Sequence, residues 1–216
     1  MNHVNKVIEL FVGYAHMDNE QEHVKANSSV TLIKGEKKII LFDCLTAWDK
    51  DLLILELKFH HVTPEEVNYL VCSHGHSDHV GNLNLFLNAD HFVGSCRSHK
   101  QTYYCHDFEK EPFVIEKDIE VVATPGHTKT CVSLIVRNTN LPKHASVAIA
   151  GDLFEKEEDI FDSSHWIKAG TEDEVLQKKS RLMIAEMVDF IIPGHGPKFK
   201  VTEEIREKLR KDVLEK

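Results

Sequence analysis

The chain has 216 residues, 42% of them hydrophobic and 28% charged, with a formal net charge of −9. That balance belongs to a globular chain with a sizeable core, and it excludes disordered and collagen-like classes. The acidity argues against a surface that binds nucleic acid over its whole extent, because phosphate contacts come from Lys and Arg.

The first residues, MNHVNKVIELFVGY, show no positive n-region and no small-residue cleavage site, so no signal peptide is expected. No apolar run reaches the ~18–20 residues of a membrane span, so no membrane partner is expected. The cysteines are Cys44, Cys72, Cys96, Cys105 and Cys131, an odd set without a C-x-x-C pair. Free thiols in a reducing compartment fit that pattern. The expectation is one soluble, intracellular domain over residues 1–216.

In chain order, residues 7–14 (VIELFVGY) and 29–33 (SVTLI) read as strands, rich in β-branched and aromatic side chains. Residues 38–43 (KIILFD) follow a Gly-Glu-Lys turn, which predicts a hairpin with 29–33. A helix opens at Asp49, with Leu52, Leu53, Leu55 and Phe59 apolar. Thr63-Pro64-Glu65-Glu66 has the form of a capped turn. A strand over 67–72 (VNYLVC) runs into SHGHSDH, followed by a short helix over 81–86 and a short strand over 91–94.

Residues 95–112 read as polar and irregular. Strands are expected at 119–124 (IEVVAT), 131–136 (CVSLIV) and 146–150 (SVAIA). A capping box at 171–174 predicts a helix to about Met187, a strand follows over 188–192 (VDFII), and Thr202 caps a last helix. The pattern is β-rich first and mixed afterwards, with no repeat and no linker.

Four of these strands end in loops that carry His or Asp. The first leads to His74, His76, Asp78 and His79, and the others to His127, Asp152 and His195. Strand ends on one sheet edge converge, so these loops can meet. Imidazole nitrogen and carboxylate oxygen are ligands for zinc, iron and manganese. His74 and His76 face one side of an extended segment, because the side-chain period there is two. Seven ligand-type residues exceed the three or four that one zinc uses, which favours two ions roughly 3.5–4 Å apart. Pro-Gly-His at 125–127 or Gly-His-Gly at 194–196 alone would be an ordinary turn, and Asp152 alone could be an N-cap. H-x-H-x-D-H has no such structural reason.

H-x-H-x-D-H with a later Gly-His, a Gly-Asp and a terminal Gly-His resembles the metallo-β-lactamase superfamily over nearly the whole chain. The resemblance implies an α/β (α+β) fold, the αββα sandwich. It implies that His74, His76 and His127 hold one metal, that Asp78, His79 and His195 hold the other, and that Asp152 bridges. Asp43 matches a supporting aspartate behind the ligands, although Cys44-Leu45 stand where members often have Thr-Gly. Two divalent ions are implied, zinc first, with iron or manganese as alternatives. They would lower the pKa of a bound water, and Asp78 would ligate and orient it as the catalytic carboxylate.

An aspartate in the bridging slot is the pattern of hydrolases acting on thioesters and phosphodiesters rather than antibiotics. The blocks GYA, SVTL, SHGHSDHVGNLNLF, ATPGH, VAIAGDLFE and IIPGHGPKFKV further resemble an animal branch of the superfamily. That branch is described as a cytosolic and nuclear endoribonuclease cutting the 3′ end of replication-dependent histone pre-mRNA. RNA is then the expected substrate. An RNA-binding partner protein would reconcile it with the acidic charge, and a homodimer is left open.

The alternative is a small-molecule thioester hydrolase related to hydroxyacylglutathione hydrolase, although the helical domain that binds glutathione there has no counterpart after His195. A protein that binds metal without catalysis is a third reading, against which the complete ligand set argues. The residues that bind substrate stay unassigned. The loops to watch are 45–50, 97–110 and 154–168. Tyr103, Tyr104 and Trp166 are stacking candidates, and Arg97, Lys100, Lys129 and Lys143 are candidates for phosphate.

Overall fold

The computed structural model describes residues 3–18 and 23–214. β1 (Lys6–Phe11) is followed by a two-stranded hairpin of β2 (Tyr14–Asp18) and β3 (His23–Asn27), then β4 (Val30–Lys34) and β5 (Ile39–Phe42). α1 (Lys50–Phe59), β6 (Tyr69–Cys72), α2 (Ser77–Val80), β7 (Asp90–Val93), β8 (Cys96–His99) and β9 (Thr102–Tyr104) complete the first half. The second half runs β10 (Phe113–Glu116), β11 (Ile119–Ala123), β12 (Val132–Val136), β13 (Val147–Gly151), α3 (Ser164–Lys168) and α4 (Glu174–Met187). It ends with β14 (Phe190–Pro193), β15 (Phe199–Lys200) and α5 (Glu203–Leu214).

One sheet has the order β1-β4-β5-β6-β7-β8-β9, and the other β10-β11-β12-β13-β14-β15. Strand side chains alternate between faces, so each inner strand feeds two cores. In β13, Val147 and Ile149 join the core between the sheets, while Ala148 and Ala150 join the outer core with α4 and α5. In β5 and β6, Ile40, Phe42 and Val71 face the other sheet. Leu41, Leu70 and Cys72 face outward with Leu53 and Leu57 of α1. Three cores between four layers make the αββα sandwich that the resemblance implied.

Several expectations are corrected. The segment 7–14 is two strands, broken at Val12 and Gly13, whose N–H turns to Ser29 Oγ at 2.9 Å instead of a ladder. β2 and β3 pair antiparallel as a hairpin that the sequence pattern does not predict. Residues 95–112 are not all irregular: β8 and β9 lie there, with Arg97 between Asp90 and the rings of Tyr104 and Phe113. The helix expected at 81–86 starts earlier, as α2, with a short 3-10 turn at Leu83–Leu85. The cap of α4 is Asp173 rather than Thr171: its side chain accepts from the Leu176 N–H at 2.9 Å. The five cysteines are free, with Cys44, Cys72 and Cys131 buried and Cys96 and Cys105 exposed. Among the described residues, no helix is long and apolar enough to cross a membrane.

Candidate metal centre

β5 and β6 run parallel, as do β13 and β14, so their C-terminal ends open at matching edges of the two sheets. The loops after β6, β11, β13 and β14 bring His74 to His79, His127, Asp152 and His195 together between those edges. Two glycines permit the approach. Gly151 has φ +53°, a conformation glycine adopts without strain, and a Cβ there would sit 2.4 Å from Ser73 Cβ. At Gly194 a Cβ would sit 2.0 Å from Asp152 Oδ1.

The seven side chains form two groups that share one carboxylate. His74 Nε2 lies 2.8 Å from His76 Nδ1, and His127 Nε2 lies 3.1 Å from that same nitrogen. Asp152 Oδ2 is 3.6 Å from His74 Nε2 and 3.5 Å from His127 Nε2. In the second group, Asp152 Oδ1 is 3.2 Å from His79 Nε2 and 3.3 Å from His195 Nε2. Asp78 Oδ2 is 3.7 Å and 3.8 Å from the same two nitrogens. These separations bracket the ~3.4 Å edge of a tetrahedron built on ~2.1 Å metal–ligand bonds.

The donor set fits a pair of divalent ions. His79 Nε2 and Asp152 Oδ1 are buried, and neither makes a hydrogen bond, although they are 3.2 Å apart. A buried donor and acceptor left unmade are costly, and an ion between them removes that cost. The charge pattern says the same. Burial lowers the His79 pKa, but the Asp152 and Asp43 carboxylates outweigh it and hold the value well above that of a free imidazole. Burial likewise opposes charge on His195, yet Asp152 and Glu155 raise it to about 9. Without metal, the pocket draws protons onto imidazoles to balance its carboxylates. His74 and His127 are held neutral by burial, with neighbouring imidazoles adding to the effect, and the neutral form is the one that binds metal.

Three of the rings, those of His74, His79 and His195, are aimed from behind. Asp43 Oδ2 is 2.8 Å from His79 Nδ1, and Asp43 Oδ1 accepts from the Ser73 N–H at 2.7 Å. Ser73 Oγ is 3.0 Å from His74 Nδ1. The His195 Nδ1–H donates to the Asn27 carbonyl at 3.0 Å, which leaves Nε2 for the pocket. Such partners fix the tautomer and ring orientation of metal-binding histidines. Asp43 itself has φ +57°, and Leu45 has φ +60°. Leu45 therefore adopts the left-handed turn where members of the family often place glycine.

A cavity of about 380 Å³ opens over the cluster, with Asp78, Asp152 and His195 on its floor. Ala15 and Val24 of the hairpin form one wall, and Lys168 and Ala169 another. Glu155 and Lys168 both lie in the 154–168 segment expected to border the pocket, although neither was singled out within it. Glu155 lies three residues after Asp152, and the spacing was the only available signal. Of the stacking candidates, Trp166 is buried against Arg181 and is corrected to a packing residue. Tyr103 is exposed, and Tyr104 packs on Arg97, whose guanidinium is taken up by Asp90.

Residues 24–195 match the family model described as the metallo-beta-lactamase superfamily. The chain is 43% identical to metallo-beta-lactamase domain-containing protein 1 of Xenopus laevis, over 82% of this chain and 74% of that protein. It is 32% identical to the Homo sapiens protein of the same name, over 92% of this chain and 83% of that one. Among solved structures, a metallo-beta-lactamase from Pseudomonas aeruginosa in its mono-zinc form superposes with a TM-score of 0.65 at 16% identity, covering 97% of both chains. The AiiA protein of B. thuringiensis, with N-decanoyl-L-homoserine at its active site, gives 0.66 at 17% identity, over 91% of this chain and 94% of that one. At such identities the structural likeness speaks for the fold alone.

Proposed function

The chain belongs to the metallo-β-lactamase superfamily, a family of metal-dependent hydrolases, and from that premise we propose that it is a two-metal phosphodiesterase that cuts RNA. The proposed substrate is the 3′ end of replication-dependent histone pre-mRNA, as the sequence resemblance implies. The observation that carries the phosphodiester reading is Lys168. In a chain of net charge −9, a lysine lines the same cavity as Asp152 and His195, a place suited to an anionic phosphate. Zinc is the first choice of metal.

His74, His76, His127 and Asp152 would hold one ion, and Asp78, His79, His195 and Asp152 the other. Bound there, the ions would supply a water nucleophile at neutral pH and Lewis acidity toward the scissile group. Asp78 is the least buried of the carboxylates in that set, with its side chain 17% exposed. Facing the cavity, it orients the attacking water and takes up its proton. Lys168 draws in the anionic phosphodiester and offsets the charge that develops on it. The hairpin wall of Ala15 and Val24 is apolar, which limits water around the reacting bond. The acidic surface as a whole supports delivery of RNA by a separate RNA-binding protein, with the reaction in the cytosol and nucleus.

One observation favours a second reading. A cavity of about 380 Å³ has the size of a site for one small ligand. A thioester or other small ester would fit it, and the same Asp78 and Asp152 would serve attack on a carbonyl carbon. The deciding experiment incubates metal-loaded protein with a labelled histone pre-mRNA 3′ fragment and, separately, with a thioester panel, beside Asp78→Ala and Lys168→Ala. RNA cleavage by the native protein is expected to be abolished by Asp78→Ala. Lys168→Ala is expected to raise KM about tenfold, the worth of one charge-assisted hydrogen bond. Thioester turnover without any RNA cleavage, with or without a partner protein, would replace the first reading by the second.

A further inference from the structure

Glu155 is a buried acid for which the seven-residue ligand set has no use. It is 6% exposed and follows Asp152 by three residues in the loop after β13. Its Oε2 lies 3.8 Å from His195 Nε2, the separation that Asp78 Oδ2 keeps from the same nitrogen. Its Oε1 is buried and makes no hydrogen bond. The backbone is clamped on both sides. The Glu155 N–H donates to Asp159 Oδ2 at 2.8 Å, and its carbonyl accepts from the His195 N–H at 2.9 Å. Asp159 is anchored in turn by Arg181. The carboxylate is thus held facing the pocket, and it shares with Asp152 and His195 a cluster whose ligand atoms lie within 4.8 Å of one another.

A carboxylate buried with a bare oxygen is unfavourable unless a proton or a metal cation meets it. Among the described residues, its only ion-pair partner is His195, at 3.8 Å. The geometry points to Glu155 as a further protein ligand of the second ion, beside Asp78, His79, Asp152 and His195. This rests on the two-ion reading above and adds a difference between the two positions. The first has three imidazoles and the shared carboxylate; the second has two imidazoles and three carboxylates. Oxygen-rich shells suit manganese and larger coordination numbers, whereas imidazole-rich shells suit zinc. The second position therefore favours manganese relative to the first.

The test strips the full chain of metal and titrates it with Mn²⁺, counting free Mn²⁺ by electron paramagnetic resonance, and with Zn²⁺ by calorimetry, beside Glu155→Gln. Native protein is expected to bind two ions of either kind. The variant is expected to keep one ion at native affinity, which shows that it is folded, and to bind the second Mn²⁺ at least tenfold more weakly, the scale of loss when a metal site's supporting groups are changed. A variant that binds two Mn²⁺ as the native chain does overturns the role of Glu155 and leaves the two-ion reading intact. Native protein that binds fewer than two ions overturns both.

A second measurement needs no mutation. Native protein grown with carboxyl-¹³C glutamate and loaded with Mn²⁺ is expected to show a ¹³C hyperfine coupling by electron–nuclear double resonance, because no other glutamate belongs to the ligand set. Absence of that coupling overturns the assignment even if Glu155→Gln fails to fold.

Discussion

Asp152 carries the largest consequence of any single side chain. Both of its oxygens face imidazoles, and His195 Nε2 is 3.3 Å from each of them. Asp152→Ala is expected to cut kcat/KM at least about 100-fold on whatever substrate is turned over, beyond the loss usual for a supporting partner of a metal ligand. Full activity of that variant would sink the two-ion model. Cys131 gives a prediction about pH. Burial raises its thiol pKa from 9.0 to about 11, against hydrogen bonds from Thr128 that pull it down. An unfolded chain sheds that proton near pH 9, while the folded chain keeps it until about 11. The contribution of the buried thiol is therefore complete below pH 9 and lost as pH rises from 9 to 11, with a slope approaching ~1.4 kcal/mol per pH unit. Urea denaturation at stepped pH checks this: the slope over that range should be shallower in Cys131→Ala.

At the scale of elements, the site depends on how α4 docks. Arg181 of α4 is buried, donates to Asp159 and to the Leu153 carbonyl, and lies on the rings of Phe154 and Trp166. It therefore holds the loop that runs from Asp152 through Glu155 to Asp159. Asp159→Ala would leave the guanidinium charged and unpaired in the interior. It is expected to cost ~3–5 kcal/mol in global stability by denaturant unfolding. An apolar pairing at both positions should recover much of that loss. The sequence reading placed α4 correctly from its apolar spacing, but started it two residues early. Thr171 and Glu174 look like a capping box, yet the Thr171 hydroxyl is spent on the Trp166 carbonyl at 2.7 Å, and Asp173 caps instead. Two caps were available in sequence, and only the docking of α3 decided between them.

At the scale of the molecule, the candidate ions join the two sheets. His74, His76, Asp78 and His79 come from the loop after β6 in one sheet, and His127, Asp152 and His195 from loops of the other. Chelation should therefore loosen the contact between the sheets and not only empty a pocket. At metal concentrations 100-fold above Kd, each ion bound contributes ~2.7 kcal/mol. For a chain of this size that is worth roughly 5–10 °C in Tm. Calorimetry before and after treatment with a chelator measures it, and an unchanged Tm would show that the folded chain does not bind the ions.

The cluster was legible before any coordinates, because H-x-H-x-D-H serves no turn or core and each partner follows an apolar run. The central strands were legible too, because residues buried on both faces read as continuous apolar runs. Three things were not. Gly13, at the break, packs against the backbone of a loop about 180 residues later, where a Cβ would sit 2.1 Å from the Gly194 carbonyl oxygen. β9 is an exposed edge strand and β8, beside it, is polar, so neither leaves a hydrophobic period to read. Glu155 and Lys168 become pocket residues only when α3 and the loop after β13 fold over the ligands. The sequence by itself determined which side chains are candidate ligands, since ligand chemistry belongs to side-chain type and local spacing. The tertiary structure decided which atoms surround the bond to be broken, because those walls come from segments far apart in the chain that meet only when the sheets pack.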